Sequence, residues 1–279
     1  MIPTPRRVLM TDPAHFQVDY VINPHMAGHV GTVDTARANA QWQALRDAYR
    51  DLGFEVTVMP AVEGLPDMVF CANQTLPMHR PDGSRAVVAS RMHTPQRAPE
   101  VAYYADYFAA AGYEVLRLDE DLPGDFEGMG DALWHPGAYK LYGGYGYRTD
   151  RTVYERFADK LGVEVVPLEL TDRDFYHLDT CLSLLDAETA IYYPGAFTEE
   201  GRQSLRALIP RLIEVPEAEA RDGFACNAHC PDGQHVLLHV GSRHTERGLR
   251  EAGFTPVPLD TSEFLKAGGS VFCMKLMYW

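Results

Sequence analysis

The chain has 279 residues and carries 39 acidic against 25 basic side chains, a net charge of −14 with histidine counted neutral. That balance argues against an extended nucleic-acid-binding face, which needs positive surface, and no stretch approaches the ~20 apolar residues of a membrane span. Hydrophobic residues make up 46%, enough for a globular enzyme with one large core or two small ones, and an acidic surface favours a small cationic substrate at a pocket mouth.

The N-terminus, Met1 to Met10, has basic residues with no apolar run behind them and reads as the lead-in to a first strand, not a signal peptide. Downstream, one local phrase recurs: a helix, a stop, then a β-branched strand. The helices are expected over about 35–52, 100–111, 151–161, 198–208 and 243–252. Four end at Gly53, Gly112, Gly162 and Gly253, each suited to the left-handed conformation of a helix C-cap; the fourth helix leads instead into Ile209-Pro210. Further apolar segments, Ala86-Val87-Val88-Ala89 and Ala190-Ile191-Tyr192-Tyr193, put more than one strand in each unit. Five such units predict an α/β array of ββαβ repeats around an axis, with a doubly wound sheet as the alternative. No linker or low-complexity segment divides the chain, so residues 1–279 read as one domain.

The most informative pairing is His177-Leu178-Asp179 with Cys273. On a strand, residues i and i+2 share a face, so His177 and Asp179 are expected to enter one pocket as proton carrier and fixed negative charge. Cys273 follows Gly268-Gly269 and is expected on a mobile loop, a good position for a nucleophile. Together they predict a cysteine hydrolase of a cationic substrate. Five cysteines with no disulfide-like spacing fit a reduced, cytoplasmic compartment; Cys71, Cys181, Cys226 and Cys230 read as small core side chains. A zinc site from Cys226, His229, Cys230, His235 and His239 is disfavoured by its loose spacing. Glu127 and Asp131 could hold a divalent cation, but Asp131 reads equally well as a loop brace. The chemistry needs neither metal nor cofactor. Gly143-Gly144-Tyr145-Gly146 opens no helix and reads as a turn, and neither a G-x-S-x-G nor an H-E-x-x-H motif is present.

Six segments in order resemble the guanidino-modifying, or pentein, superfamily: Asp19 to Pro24, Asp67 to Asn73, Glu127 to Leu133, Gly144 to Arg148, Phe175 to Cys181, and Phe264 to Cys273. The resemblance spans the chain and is strongest to arginine dihydrolases. It implies a five-bladed α/β propeller with pseudo-fivefold symmetry. It also implies Cys273 as nucleophile on the guanidinium carbon, His177 as general acid and base, and Glu127 as its orienting partner. By the same resemblance Asp179 pairs with the guanidinium, Arg148 and secondarily Arg97 bind the α-carboxylate, and Asp67 takes the α-ammonium, while Asn23 lines the pocket.

Asn73 departs from deiminases and dimethylarginine hydrolases, which carry an acid at the matching position. An amide both donates and accepts, so it could hold a neutral ureido group. This predicts two rounds of hydrolysis, from arginine through citrulline to ornithine. The alternatives are a dimethylarginine hydrolase, a one-step deiminase, an amidinotransferase or a non-catalytic propeller that binds a partner. The partner expected is a small molecule, neither nucleic acid nor membrane; oligomeric state is open, with a homodimer as the working expectation.

Overall fold

The computed structural model describes residues 2–118 and 124–279, whose strands form five small sheets. In the first, β1 (Arg7–Thr11) crosses through helix α1 (Thr35–Asp51) to a parallel β2 (Glu55–Met59). The second joins β3 (Thr75–His79) antiparallel to β4 (Arg85–Ala89), which returns through α2 (Glu100–Ala110) to a parallel β5 (Glu114–Leu116). The third repeats this with a one-turn helix α3 (Gly128–Asp131), then β6 (Ala132–Trp134), β7 (Lys140–Tyr145), α4 (Arg151–Leu161) and β8 (Glu164–Glu169). The fourth has β9 (Leu182–Leu184), β10 (Thr189–Tyr192), α5 (Glu199–Leu208) and β11 (Arg211–Glu214).

After a short helix α6 (Glu217–Arg221), the fifth sheet pairs β12 (His235–His239) through α7 (Arg243–Glu251) with β13 (Thr255–Leu259). Its third strand is reduced to one antiparallel bridge, His229 to Leu237. The short helix α8 (Ser262–Leu265) precedes β14 (Leu276–Tyr278), which pairs antiparallel with β1 and so completes the first sheet with the last strand of the chain. The expected helices therefore appear within one residue at each end. The recurring stop has its predicted cause: Gly53, Gly112, Gly162 and Gly253 all have positive φ, where a side chain would be strained.

The central strands are covered on both faces, so they are nearly continuous apolar runs. Ala86, Val87 and Val88 of β4 and Ala190, Ile191 and Tyr192 of β10 are all buried. The consequence for function lies in the turns that precede the first strand of a sheet. Pro66–Val69 precedes β3, α3 precedes β6, and a 3-10 turn at Leu178–Thr180 precedes β9. The segment around Asn227 precedes β12, and Gly268 to Lys275 precedes β14. No helix among the described residues is long and apolar enough to cross a membrane.

Between units, buried polar ties set the register. Tyr104 of α2 bonds Thr11 Oγ1 at 2.6 Å and donates to the Met68 carbonyl at 2.8 Å, with no exposed surface. Tyr104→Phe leaves that carbonyl unsatisfied and is expected to lower the unfolding free energy by about 1–3 kcal/mol. A denaturation midpoint unchanged from the parent would contradict the tie.

Candidate active site

Cys273 is 3% exposed, and its thiol donates to Asp179 Oδ2 at 3.2 Å. The same sulfur accepts from Asn227 Nδ2 at 3.1 Å. Asn227 does more than touch the sulfur. Its Oδ1 accepts the backbone N–H groups of Ser270, Phe272 and Cys273 at 3.0, 3.1 and 3.3 Å, and its Nδ2 also donates to the Asp179 carbonyl at 3.0 Å. One amide thus fixes the cysteine turn to the Asp179 turn. Burial pushes the Asp179 carboxyl up to about 7, against the thiol hydrogen bond and the charge of Lys275. Burial and the neighbouring carboxylate together push the Cys273 thiol well above its usual range. The pair therefore rests as a thiol beside a carboxyl that ionises near neutrality, and an arriving cation lowers both.

Across the site, His177 Nε2 and Glu127 Oε2 lie 2.6 Å apart. Burial alone would raise the Glu127 carboxyl, but the hydrogen bond from His177 and the charge of Arg148 reverse this and hold it at about 2. Glu127 is therefore an acceptor for the Nε2 proton, and Nδ1 is the nitrogen left to exchange protons with a substrate. Arg148 Nη1 reaches Glu127 Oε2 at 3.1 Å, its Nη2 donates to the Ile22 carbonyl at 2.8 Å, and its guanidinium lies over the Tyr176 ring at 4.7 Å. Asp131 braces this corner: Oδ1 accepts the Leu178 N–H at 3.0 Å and Oδ2 the Thr149 hydroxyl at 2.7 Å.

Asn73 stands beside the histidine, with Nδ2 3.5 Å from His177 Nδ1. Its Oδ1 accepts from Arg97 Nη1 at 2.8 Å, which fixes the orientation of the amide. Arg97 in turn is held by buried Glu100, by Nη2 at 2.9 Å and by Nε, and also donates to the carbonyls of Asp67 and Phe70. Asp67 accepts the Tyr20 hydroxyl at 2.8 Å through Oδ2. Asn23 caps the short turn Pro24–Met26, its Oδ1 accepting from His25 and Met26, and its Nδ2 ties the turn to the Ala267 carbonyl at 3.0 Å. These groups line a narrow chamber of about 10 Å³ bounded by Asn23, Asp67, Asn73, Arg97, Arg148, His177 and Cys273. At that volume it holds one water at most. Arg148 and Tyr176, with Ile22 and Asn23, also line a wider outer basin beside the chamber.

Two buried carboxylate oxygens here have no hydrogen-bond partner: Asp67 Oδ1 and Asp179 Oδ1. Orphaned anionic atoms in a dry pocket are costly unless a ligand satisfies them, and two of them suit a substrate with two cationic ends.

The structure brings Cys273, His177, Glu127, Asp179, Asn73, Asp67, Arg148, Arg97 and Asn23 into one region, and it corrects the expected local geometry in four places. His177-Leu178-Asp179 is a turn, not a strand: the Leu178 N–H is taken by Asp131, so both polar neighbours swing inward by a different route. The glycines before Cys273 serve close packing. A Cβ at Gly268 (φ +81°) would lie 2.7 Å from Tyr176 Oη and 2.9 Å from Asn23 Oδ1. Asn73 presents only its donor end to the histidine, since Arg97 occupies its oxygen. Arg97 has most of its donors committed within the protein and acts first to orient Asn73. Asn227 was missed altogether. Its sequence context is bland, but it occupies the turn before β12, the repeat position that supplies functional groups in the other units.

The arrangement defines a cysteine hydrolase for guanidino C–N bonds, with thiol, imidazole and carboxylate delivered from three different units. The family model for eukaryotic N,N-dimethylarginine dimethylhydrolase matches residues 17–277, and the chain belongs to that family. It is 42% identical to an N(G),N(G)-dimethylarginine dimethylaminohydrolase of Mycobacterium tuberculosis, over 98% of this chain and 86% of that one. It is 39% identical to the bifunctional arginine dihydrolase/ornithine cyclodeaminase ArgZ of Synechocystis, over 97% of this chain but only 37% of that one. The crystal structure of the N-terminal domain of ArgZ bound to product superposes with a TM-score of 0.90 at 38% identity, covering 97% and 96% of the two chains.

Asn227→Ala removes the side-chain acceptor of the buried Ser270 and Cys273 N–H groups, each worth about 1–3 kcal/mol when left unsatisfied, while the Phe272 N–H keeps the Asn227 backbone carbonyl at 3.1 Å. The expected result is faster amide exchange over residues 268–275 in hydrogen-exchange mass spectrometry, with the rest of the chain protected as before. Unchanged protection there would refute the pinning role.

Proposed function

We propose that this chain is a single-domain hydrolase of free L-arginine, built as a five-bladed propeller of ββαβ units with pseudo-fivefold symmetry, and that it is an arginine dihydrolase. The observation that carries the second part is the orientation of Asn73. Its Oδ1 faces Arg97 and its Nδ2 faces His177. A guanidinium has only N–H donors and nothing to accept from that amide. The ureido oxygen of citrulline does accept, so the first product has a partner here that arginine lacks.

In this reading the guanidinium is received by Asp179 and the α-ammonium by the free oxygen of Asp67. Arg148 takes the α-carboxylate, with Arg97 as a second donor through what remains free on Nη1. Cys273 Sγ loses its proton and attacks the guanidinium carbon, His177 Nδ1 protonates the departing ammonia, and a thiouronium remains on the sulfur. Water, deprotonated by His177, displaces the sulfur and leaves citrulline held by Asn73. A second attack on the ureido carbon and a second water give ornithine, carbon dioxide and another ammonia, two waters being consumed in all.

The second reading is a dimethylarginine hydrolase, favoured by the relative at 42% identity. Purified enzyme offered L-arginine and N(G),N(G)-dimethylarginine in parallel separates the two. The dihydrolase reading predicts two ammonia per ornithine from arginine with little free citrulline. Turnover of dimethylarginine alone would establish the second reading and overturn the first. In Asn73→Asp, citrulline is expected to accumulate, because a carboxylate repels the ureido oxygen; an unchanged product ratio would contradict the role given to the amide.

The pH dependence follows from Asp179. Burial holds its carboxyl neutral until about 7, so the anion that pairs with a guanidinium is lost as pH falls through that value. We expect kcat/KM for arginine to rise with pH through about 7, by roughly tenfold for each pH unit below it. A profile flat from pH 5.5 to 8 would contradict this.

A further inference from the structure

Asn227 has no exposed surface and lies outside every motif, yet its amide nitrogen meets the Cys273 sulfur. Which end of an amide faces a given atom is decided by its other neighbours. The backbone N–H groups of Ser270 and Cys273, at 3.0 and 3.3 Å, can only donate, so the atom they share is the oxygen. The other end is therefore the nitrogen, and both of its protons are placed. One meets the Asp179 carbonyl at 3.0 Å and the other the Cys273 sulfur at 3.1 Å. Turning the amide over would set its protons against two N–H groups. The donor is locked on the sulfur.

Such a lock matters most when the sulfur carries charge. As a thiol, Cys273 donates to Asp179 Oδ2 at 3.2 Å and accepts from Asn227. As an anion it has nothing to donate, and an ionised Asp179 then faces it as a like charge. The Asn227 contact instead becomes charge-assisted, and such bonds are roughly twice as strong as neutral ones. Burial and Asp179 push the thiol upward, while the hydrogen bonds of Ser270 and Asn227 act the other way. Lys275, two residues on, adds charge from a distance, since its Nζ makes no hydrogen bond.

We propose that Asn227 is a catalytic residue, donating from Nδ2 to the Cys273 sulfur whenever that sulfur is an anion. The inference rests on Cys273 as the nucleophile, whichever guanidino compound is the substrate. The sulfur is ionised twice in each round of hydrolysis. First it loses its proton, which leaves by way of His177 on the departing nitrogen, and its electron pair forms the bond to the guanidinium carbon. When water adds and that bond breaks, the pair returns to the sulfur, which regains a proton supplied by the water. One N–H serves both events without moving, because the same amide holds the cysteine turn. A hydrogen bond to a charged atom corresponds to about tenfold to a hundredfold in rate.

Asn227→Asp separates this role from the pinning of the turn, because it keeps an oxygen acceptor and loses the donor. Chloroacetamidine, a small cationic alkylating agent, reports the thiolate without any turnover of substrate. Peptide mass spectrometry of the parent protein is expected to find it on Cys273. At pH 8.5, where the introduced carboxylate is ionised, alkylation of the variant is expected to be slower by about tenfold or more. Amide protection over residues 268–275 is expected to match the parent. Equal alkylation rates with that protection kept overturn the proposal. A parent protein left unmodified at Cys273 removes the nucleophile, and the inference with it. If the variant loses the protection, nuclear magnetic resonance of the chain with Asn227 intact decides. The asparagines are Asn23, Asn39, Asn73 and Asn227, so labelling them with nitrogen-15 gives few side-chain amide signals. Cys273→Ala is then expected to move one Asn227 amide proton more than its partner; no movement of either refutes the contact and the proposal.

Discussion

Everything in this site depends on the removal of Asp179 and Cys273 from water. In solvent a carboxyl ionises near pH 4 and a thiol near 8.5; here burial raises both, and the thiol hydrogen-bonds the acid at 3.2 Å. A cation reverses the cost of ionising them. In the proposed reaction this keeps the thiol protonated until a guanidinium arrives to offset the cost of ionisation. Asn227 makes the arrangement possible by fixing both turns through a single amide, so that sulfur and carboxyl meet without either backbone being strained.

The remaining groups follow the same architectural rule. Each sheet's first strand is preceded by a buried turn, and these turns supply Asp67 and Asn73, Glu127, His177 with Asp179, Asn227, and Cys273. No turn holds more than two of these groups, which is why the motifs are individually weak. Close approach of the turns imposes its own demands. At Gly130 a Cβ would lie 2.2 Å from Asn73 Nδ2, so the glycine is required by the amide beside it. The far ends of β6 and β9 carry Trp134 and Leu184 instead and enclose an apolar cavity.

Much of this was legible in the residues themselves. The helices could be placed because amphipathic period and glycine stops are local signals, and Gly53, Gly112, Gly162 and Gly253 all adopt the expected left-handed conformation. The residues that meet around the chamber could be singled out because six motifs occur in a fixed order. What escaped was long-range. Whether His177 and Asp179 project from a strand or a turn depends on Asp131, 47 residues away, capturing the Leu178 N–H. Which end of Asn73 faces the histidine depends on Arg97, itself held by Glu100. Asn227 carries no motif, and its significance lies in what surrounds it: the buried Ser270 and Cys273 N–H groups take its side-chain oxygen as their acceptor.

The most direct test of the account is to catch the sulfur in the act. Enzyme mixed with excess L-arginine, quenched in acid within the first turnover and mapped by peptide mass spectrometry, is predicted to carry arginine less ammonia on the peptide containing Cys273, and on no other cysteine. Turnover of arginine with Cys273 unmodified at every time point, or with the adduct on Cys71, Cys181, Cys226 or Cys230, would contradict the central claim.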